Sequence, residues 1–291
     1  MTDQEYEYLK MTVLKLTGMD LDQYMSNQMR RRLQSHIECT HHTSVGSFCH
    51  DLRENPSMVQ ELKDFLTINV SEFFRDEIQF TYLKRVVLPD LLRKNESLRI
   101  WSAGCSNGAE IYSIAMMLSD IYPLTTQELL ATDIDDSILA LAKAGGPYAS
   151  RHVKNIEKWR AQKYFTTSQN QYWIADRIRD KVRFEKHDLI KDTYEQGFDL
   201  IVCRNVVIYF TVDTKQKLNL RFHQSLKEGG VLFVGGSELI VDFREVGFEP
   251  LQTSFYRKVA TNVRAAIPEY KEHVIKGRQW KSSVGRITHP H

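Results

Sequence analysis

The stretch that decides the fold runs Leu98-Arg99-Ile100-Trp101-Ser102-Ala103-Gly104-Cys105-Ser106-Asn107-Gly108. Its first six residues form a short apolar run that is typical of a buried strand. The glycine-bounded turn follows at once, and then Ile111, Ile114 and Leu118 repeat on one face of a predicted helix. Ligands of open α/β sheets bind at the carboxyl ends of the strands, so this loop is a candidate binding site.

The same alternation of strand and helix continues along the chain. Strands are predicted at 129–132, 198–203 and 230–234, with a helix at 138–144 and a closing hairpin at 245–258. Strands that alternate with helices predict a parallel sheet covered on both faces. The fold class is therefore α/β, with a Rossmann-like sheet.

Regions of different pattern flank and interrupt this sheet. Residues 1–90 show helical spacing, for example Leu9, Val13 and Leu16 before Gly18, and predict an all-helical domain. A second domain, at 91–260, would then contain an insert at about 148–187, where short strand candidates, the last at 181–184, predict a small antiparallel sheet. The tail at 261–291 is polar and basic, and we expect it to be poorly ordered.

Composition narrows the class of protein. Hydrophobic residues make up 42% of the 291 residues and charged residues 26%, as in packed globular proteins. No apolar run is long enough for a membrane helix and no basic leader precedes one, so we expect a cytoplasmic protein. The four cysteines form no CxxC pair, which favours free thiols. The cluster of Cys39, His41, His42, Cys49 and His50 matches no zinc spacing, and we predict no metal.

The glycine loop and Asp133 together favour a nucleoside-type ligand. The loop lacks both GxGxxG and GK[ST], so pyrophosphate binding is not expected, and a plain strand-to-helix turn is the simpler alternative. Asp133 ends the next strand, where a carboxylate can accept the hydroxyl protons of a ribose. Its alternative role is a helix N-cap, which Asp135 or Asp136 can supply instead. S-adenosylmethionine is a common cofactor that carries a ribose without a pyrophosphate.

Several segments in order resemble the CheR family of chemotaxis receptor methyltransferases. They are NVSEFFR at 69–75, WSAGCSNGAEIYSIAMML at 101–118, ATDID at 131–135, FDLIVCRNVVIYF at 198–210 and LKEGGVLFVGGSE at 226–238. The resemblance covers roughly residues 5–258. It implies methyl transfer from S-adenosylmethionine to receptor glutamates, which yields glutamate methyl esters and S-adenosylhomocysteine.

The resemblance also implies roles for individual residues. Arg75 and Tyr209 are candidates for the reacting centre, where they hold the cofactor carboxylate and shape the acceptor slot. Asn69, Ser71, Arg75 and Glu110 would line the methionine end, and Asp133 would bind the ribose. The predicted cofactor-binding set is Asn69, Ser71, Arg75, Ala103, Gly104, Glu110, Asp133, Ile134, Asp188, Leu189, Asn205 and Val206.

Receptor docking is predicted at Arg30, Arg31 and Arg32, because the corresponding helix of the family is basic. A solvated helix face is the alternative explanation of this run. The turn at 166–170 is short and lacks glycine, which resembles family members that do not bind a receptor's C-terminal pentapeptide. Two departures from the family pattern are Ala109-Glu110-Ile111 and Gly236, where the family has EEP and histidine.

Two other functions are compatible with the sequence. A methyltransferase acting on another protein or on RNA is one, since the arginine run and basic tail would suit phosphates. A cofactor-binding signalling adaptor without catalysis is another. No aromatic-and-basic platform for RNA is evident, so nucleic acid is not expected as a partner, and we expect a monomer.

Overall fold

The computed structural model describes residues 1–122 and 127–259. The tail predicted to be poorly ordered lies outside these described residues. No helix within them combines the length and apolar character that crossing a membrane requires.

Helices and strands occupy most of the described chain. The helices are α1 (Asp3–Thr17), α2 (Ser26–Cys39), α3 (Val45–Glu54), α4 (Pro56–Thr67), α5 (Glu77–Tyr82), α6 (Leu88–Lys94), α7 (Ala109–Ile121), α8 (Asp136–Ala144), α9 (Ser150–Val153), α10 (Lys158–Tyr164), α11 (Asp176–Arg179), α12 (Val212–Ser225) and α13 (Phe243–Val246). The strands are β1 (Arg99–Ala103), β2 (Glu128–Asp133), β3 (Tyr148–Ala149), β4 (Phe165–Ser168), β5 (Gln171–Ile174), β6 (Val182–Lys186), β7 (Phe198–Cys203), β8 (Leu226–Val234), β9 (Phe248–Gln252) and β10 (Phe255–Lys258).

The first four helices form a helical unit with its own apolar core. Gly18 ends α1 in the left-handed conformation, and Asn55 caps α4 with Pro56 in its first turn. Leu9, Leu33 and other apolar residues of α1–α4 pack together in one buried cluster. The helical spacing read from the sequence is confirmed here.

A seven-stranded sheet forms the rest of the core, in the order β6-β2-β1-β7-β8-β10-β9. The first five of these strands run parallel, and β10 and β9 close the edge as the antiparallel hairpin predicted at 245–258. β7 is buried at every position, as a strand covered on both faces requires. The predicted α/β class is confirmed.

The insert is smaller than the sequence suggested. β3, β5 and β4 form a separate antiparallel sheet. The strand at 182–186 was predicted to belong to it and does not, since it pairs parallel with β2 at the edge of the main sheet. Its short alternating pattern fits either an insert hairpin or an exposed edge strand, and only pairing with β2 distinguishes the two.

The segment after α4 packs against the sheet rather than against α1–α4. Phe73, Phe80 and Leu91 belong to the buried cluster that includes α7 and β1, whereas the core of α1–α4 is a different cluster. A short π-helical turn at Leu83–Val87 joins α5 to α6. The predicted domain limits at 90 and 260 stay predictions, and the packing favours a boundary near residue 68.

Candidate active site

One cleft lies at the carboxyl ends of β1, β2 and β7, where it meets the end of α4 and the start of the segment 68–76. The space within the cleft and the open solvent at its entrance together measure about 1020 Å³, and the lining mixes apolar side chains with carboxylates, two amides and guanidinium groups. This is the position at which parallel α/β sheets bind ligands.

The turn after β1 depends on the glycine at 104. Its φ of +79° is accessible to glycine and strained for other residues. A Cβ built on Gly104 would lie 2.5 Å from Cγ2 of Val206, so the loops after β1 and β7 pack together without room for a side chain. Any larger residue at 104 would push these two walls of the cleft apart.

Asp133 and Asp135 differ in which of the two roles considered from the sequence, helix N-cap or ligand binding, their positions allow. Asp135 caps α8, since its Oδ1 accepts from the N–H groups of Ser137 and Ile138. Asp133 is therefore not the cap. It accepts from the N–H of Ser106 at 2.8 Å and is 8% exposed at the cleft. Burial raises the pKa of Asp133, and the N–H of Ser106 partly counteracts this.

The end of the helical unit is tied to the same strand end. The side-chain amide of Asn69 donates to Oδ2 of Asp135 at 2.6 Å, and the hydroxyl of Thr67 donates to that oxygen at 3.0 Å. Asp135 is 1% exposed, so these are charge-assisted bonds away from water. They fix the position at which the segment carrying Ser71 and Arg75 leaves α4.

The buried guanidinium of Arg204 forms hydrogen bonds to several segments on the other side of the cleft. The side chain of Arg204 is 2% exposed and bonds to Asp76 Oδ2 at 2.5 Å and to Gln79 Oε1 at 2.9 Å. It also donates to the carbonyl of Arg75 at 3.2 Å and to Glu110 Oε2 at 3.4 Å. Burial raises the pKa of Glu110, while the Arg204 charge opposes that rise. Arg204 thus links the end of β7 to α7 and to the segment that contains Arg75.

The loop after β7 is held by the carboxylate of Glu238. Its Oε2 accepts from the N–H groups of Asn205 at 2.6 Å and Gly235 at 2.7 Å, and its Oε1 accepts from the N–H of Ile208 at 3.2 Å. Glu238 is 5% exposed and Asn205 has a φ of +60°. The carboxylate stabilises a loop conformation that places both Asn205 and Tyr209 on the cleft.

The far wall of the cleft is formed by the loop after β6. The N–H groups of Ile190 and Lys191 donate to Oδ1 of Asp188, which leaves Oδ2 without a hydrogen-bond partner within the described residues. His187 lies beside it against the ring of Trp101, and burial lowers the pKa of its imidazole.

Arg75 and Tyr209 both line the cleft. The side chain of Arg75 bonds only to the carbonyl of Val70 among the described residues, at 3.3 Å, so most of its donors remain available. The carbonyl of Tyr209 accepts from the N–H of Met25 at 2.9 Å, which joins this lining to the residue just before α2.

The cleft brings together almost all residues predicted for the site. Lining it are Asn69, Ser71, Arg75, Gly104, Glu110, Asp133, Ile134, Asp188, Leu189, Asn205, Val206 and Tyr209. Ala103 is absent from this lining and is buried at the end of β1. The roles assigned to these residues stay predictions.

The predicted docking arginines differ in what they contact. Arg30 pairs with Asp3 at 2.7 Å, and Arg32 donates to the carbonyl of Phe65 at 2.6 Å while covering its ring. Arg31 is exposed. The docking role of all three stays a prediction, with Arg31 the most available to a partner.

Sequence reasoning missed several functional candidates. Arg204 and Glu238 carry the two buried networks, and Tyr24, Ser106 and His187 line the cleft. The signal for the first two was present, because Arg204 is a charged residue directly after β7 and Glu238 is a charged residue in the loop that follows β8. Tyr24 precedes α2, and only the tertiary fold brings it to the cleft.

The lining suits S-adenosylmethionine. The hydroxyl of Ser106 and Nε2 of His187 are buried without a hydrogen-bond partner among the described residues, and both residues line the cleft, as expected where a polar ligand supplies the partner. Asp133 can accept from ribose hydroxyls, and Arg75 offers a guanidinium to a carboxylate. Among the described residues, no group of three or more His, Cys, Asp or Glu side chains is arranged to hold a metal.

Comparison with known proteins agrees with this chemistry. Residues 4–67 match the family domain described as CheR methyltransferase, all-alpha domain, and residues 69–256 match CheR methyltransferase, SAM binding domain. A chemotaxis protein methyltransferase of Listeria monocytogenes is 39% identical over 257 residues, covering 88% of this chain and 98% of that protein. Chemotaxis protein methyltransferase 1 of Pseudomonas aeruginosa is 32% identical, covering 81% of this chain and 90% of that protein. The chain therefore belongs to the CheR family and is an S-adenosylmethionine-dependent methyltransferase.

Proposed function

We propose that this protein transfers the methyl group of S-adenosylmethionine to glutamate side chains of chemotaxis receptors. The products are glutamate methyl esters and S-adenosylhomocysteine, and the process serves sensory adaptation. The observation that carries the proposal is the cleft itself, which is lined both by Arg75, whose side chain bonds only to the Val70 carbonyl among the described residues, and by the buried carboxylate of Asp133. The family membership supplies the class of reaction.

The reaction requires little acid–base chemistry from the protein. A glutamate has a reference pKa of about 4.3 and is ionised at neutral pH, so no general base is assigned. The bound cofactor supplies an activated methyl group on a sulfonium. The protein's task is to hold the carboxylate in line with that methyl and to keep water away.

Arg75 and Tyr209 are proposed to act at the reacting centre. Arg75 would bind the cofactor carboxylate, and Tyr209 would shape the slot through which the glutamate enters. Asn69, Ser71 and Glu110 would line the methionine end. Arg204 acts through others, since it fixes the backbone of Arg75 and contacts Glu110.

The remaining cofactor contacts follow from the positions in the cleft. Asp133 would accept from the ribose hydroxyls. Oδ2 of Asp188 accepts no hydrogen bond from the described residues and lies 4.0 Å from Nζ of Lys191, so it can accept from an adenine amino group, and Leu189, Asn205 and Val206 would surround the ring.

The proposed partner is a cytoplasmic helix of a receptor, which places this protein in the cytoplasm. Arg31 is the exposed cation of α2 that can meet an acidic helix. The hairpin of β4 and β5 turns through only Gln169 and Asn170, both with positive φ, and this short turn favours docking without a receptor pentapeptide. We further propose that the protein acts as a monomer and binds no nucleic acid.

Incubation with methyl-labelled S-adenosylmethionine and receptor-containing membranes tests the proposal. Label that appears on the receptor and is released by mild alkali is the expected result, because a glutamate methyl ester is alkali-labile. Cofactor binding by calorimetry without any label on receptors would instead favour the signalling-adaptor alternative. Label on RNA or on another protein would favour the alternative acceptors.

A further inference from the structure

The helical unit of α1–α4 contributes a tyrosine to the cofactor cleft. Tyr24 lies between a short 3₁₀ turn at Leu21–Gln23 and the start of α2, and it lines the cleft together with Met19 and Leu66 of the same unit. Its ring packs against the buried cluster of α1–α4 and also against a buried cluster that includes β7 and β8. The proposed cofactor contacts come from other residues and do not use this side chain.

Pairing between two segments fixes where Tyr24 lies. Tyr24 and Phe210 form an isolated antiparallel bridge, and the N–H of Thr211 donates to the carbonyl of Gln23 at 2.9 Å. The ring centroids of Tyr24 and Phe210 are 4.9 Å apart, and Phe210 also lines the cleft. Backbone pairing and ring packing therefore hold Tyr24 at the cleft wall in the absence of a ligand.

The hydroxyl of Tyr24 has no hydrogen-bond partner among the described residues. Burial raises the pKa of Tyr24, and the carboxylates of Asp188, Asp20 and Asp133 raise it further, so the hydroxyl stays protonated at neutral pH. Asp133 and Asp188 line the cleft and are the proposed acceptors for the ribose hydroxyls and the adenine amino group. The hydroxyl of Tyr24 thus lies within electrostatic range of both, and its proton is available to an acceptor placed between them.

We propose that the hydroxyl of Tyr24 forms a hydrogen bond with the adenosine moiety of the cofactor. Adenine ring nitrogens and ribose oxygens are acceptors, and this hydroxyl is a donor that the folded protein leaves unused. The helical unit then completes the nucleoside pocket, although the matched SAM-binding domain begins only at residue 69. The inference rests on the proposed positions of ribose and adenine in the cleft, and it does not depend on which acceptor is methylated.

Calorimetric titration of the full chain with S-adenosylhomocysteine tests the inference. Tyr24→Phe removes only the hydroxyl, and we expect Kd to rise about fivefold, which corresponds to about 1 kcal/mol for one neutral hydrogen bond. The midpoint of urea denaturation without ligand should stay unchanged, because the hydroxyl has no partner in the free protein. Tyr82→Phe is the matched control, since Tyr82 is also partly buried but does not line the cleft, and it should change neither quantity.

The outcomes are distinguishable. A Kd within twofold of wild type for Tyr24→Phe would overturn the inference while leaving receptor methylation intact. Weaker binding together with a lower urea midpoint would also overturn it, because the hydroxyl would then stabilise the fold rather than contact the cofactor. An equal rise in Kd for Tyr82→Phe would overturn it as well.

Failure of the proposed function has a different signature. A wild-type protein that binds S-adenosylhomocysteine but forms no methyl ester on receptors would refute receptor methylation. A fivefold loss of affinity in Tyr24→Phe would still support the contact between Tyr24 and the adenosine moiety in that case.

Discussion

Replacing Glu238 by glutamine probes how the fold positions the cleft loop. The native carboxylate accepts three backbone N–H groups, from Asn205, Gly235 and Ile208, and it is 5% exposed. A glutamine has one acceptor oxygen, so at least one N–H would face the amide NH₂. An unsatisfied buried donor costs roughly 1–3 kcal/mol, and the remaining two bonds would lose their charge assistance, roughly 1 kcal/mol each.

Relief of the buried charge offsets part of this loss, since burying an ion costs several kcal/mol that its hydrogen bonds must recover. We expect a net loss of about 3 kcal/mol in the free energy of unfolding, measured by urea denaturation. The loop carries Asn205 and Tyr209, so cofactor affinity measured by calorimetry should fall as well. Glu228→Gln is the matched control, because its carboxylate is 64% exposed and contacts Lys258 at 3.5 Å. It should cost less than about 1 kcal/mol. A Glu238→Gln protein within about 0.5 kcal/mol of wild type, with unchanged cofactor affinity, would refute the reasoning.

Three further predictions address the site. Burial raises the pKa of Asp133, so protons should compete with ribose hydroxyls above the ordinary aspartate range. The calorimetric Kd of S-adenosylmethionine should therefore rise as the pH falls from neutral towards the raised pKa of Asp133, and an Asp133→Asn variant that binds more weakly but keeps the same pH dependence would contradict this. Arg75→Ala should lower cofactor affinity about tenfold or more, and Arg75→Lys should recover part of that loss. The control Arg93→Ala changes a side chain that is 74% exposed and should leave cofactor affinity unchanged. An unchanged Kd and kcat in Arg75→Ala would show that Arg75 does not act at the site. Arg31→Glu should raise KM for a soluble cytoplasmic receptor fragment, most strongly at low salt, and should leave the cofactor Kd unchanged. Arg93→Glu is the control, and equal effects of the two charge reversals would contradict a docking role for Arg31.

The sequence alone determined the fold class and the location of the cofactor cleft. Buried parallel strands are short apolar runs, and their carboxyl ends must lie at one edge of the sheet, so Gly104, Asp133 and Asn205 could be placed together before the fold was known. The segments shared with the CheR family added Asn69, Ser71 and Arg75. These residues precede the first strand of the sheet, and no local pattern in the sequence indicates that they lie at its edge.

Only the tertiary structure decided how these groups are held and what surrounds them. The strand at 182–186 pairs with the free edge of β2 and so joins the main sheet. The residue pattern of this strand does not specify which strand it pairs with. Asp135 rather than Asp133 is the helix cap, and its other oxygen accepts from Thr67 and Asn69 at the end of α4. Arg204 and Glu238 form hydrogen bonds with groups that are distant in sequence. Hydrogen bonding and burial between distant segments depend on how the chain is folded. The periodicity of residues along one strand or helix does not specify these contacts.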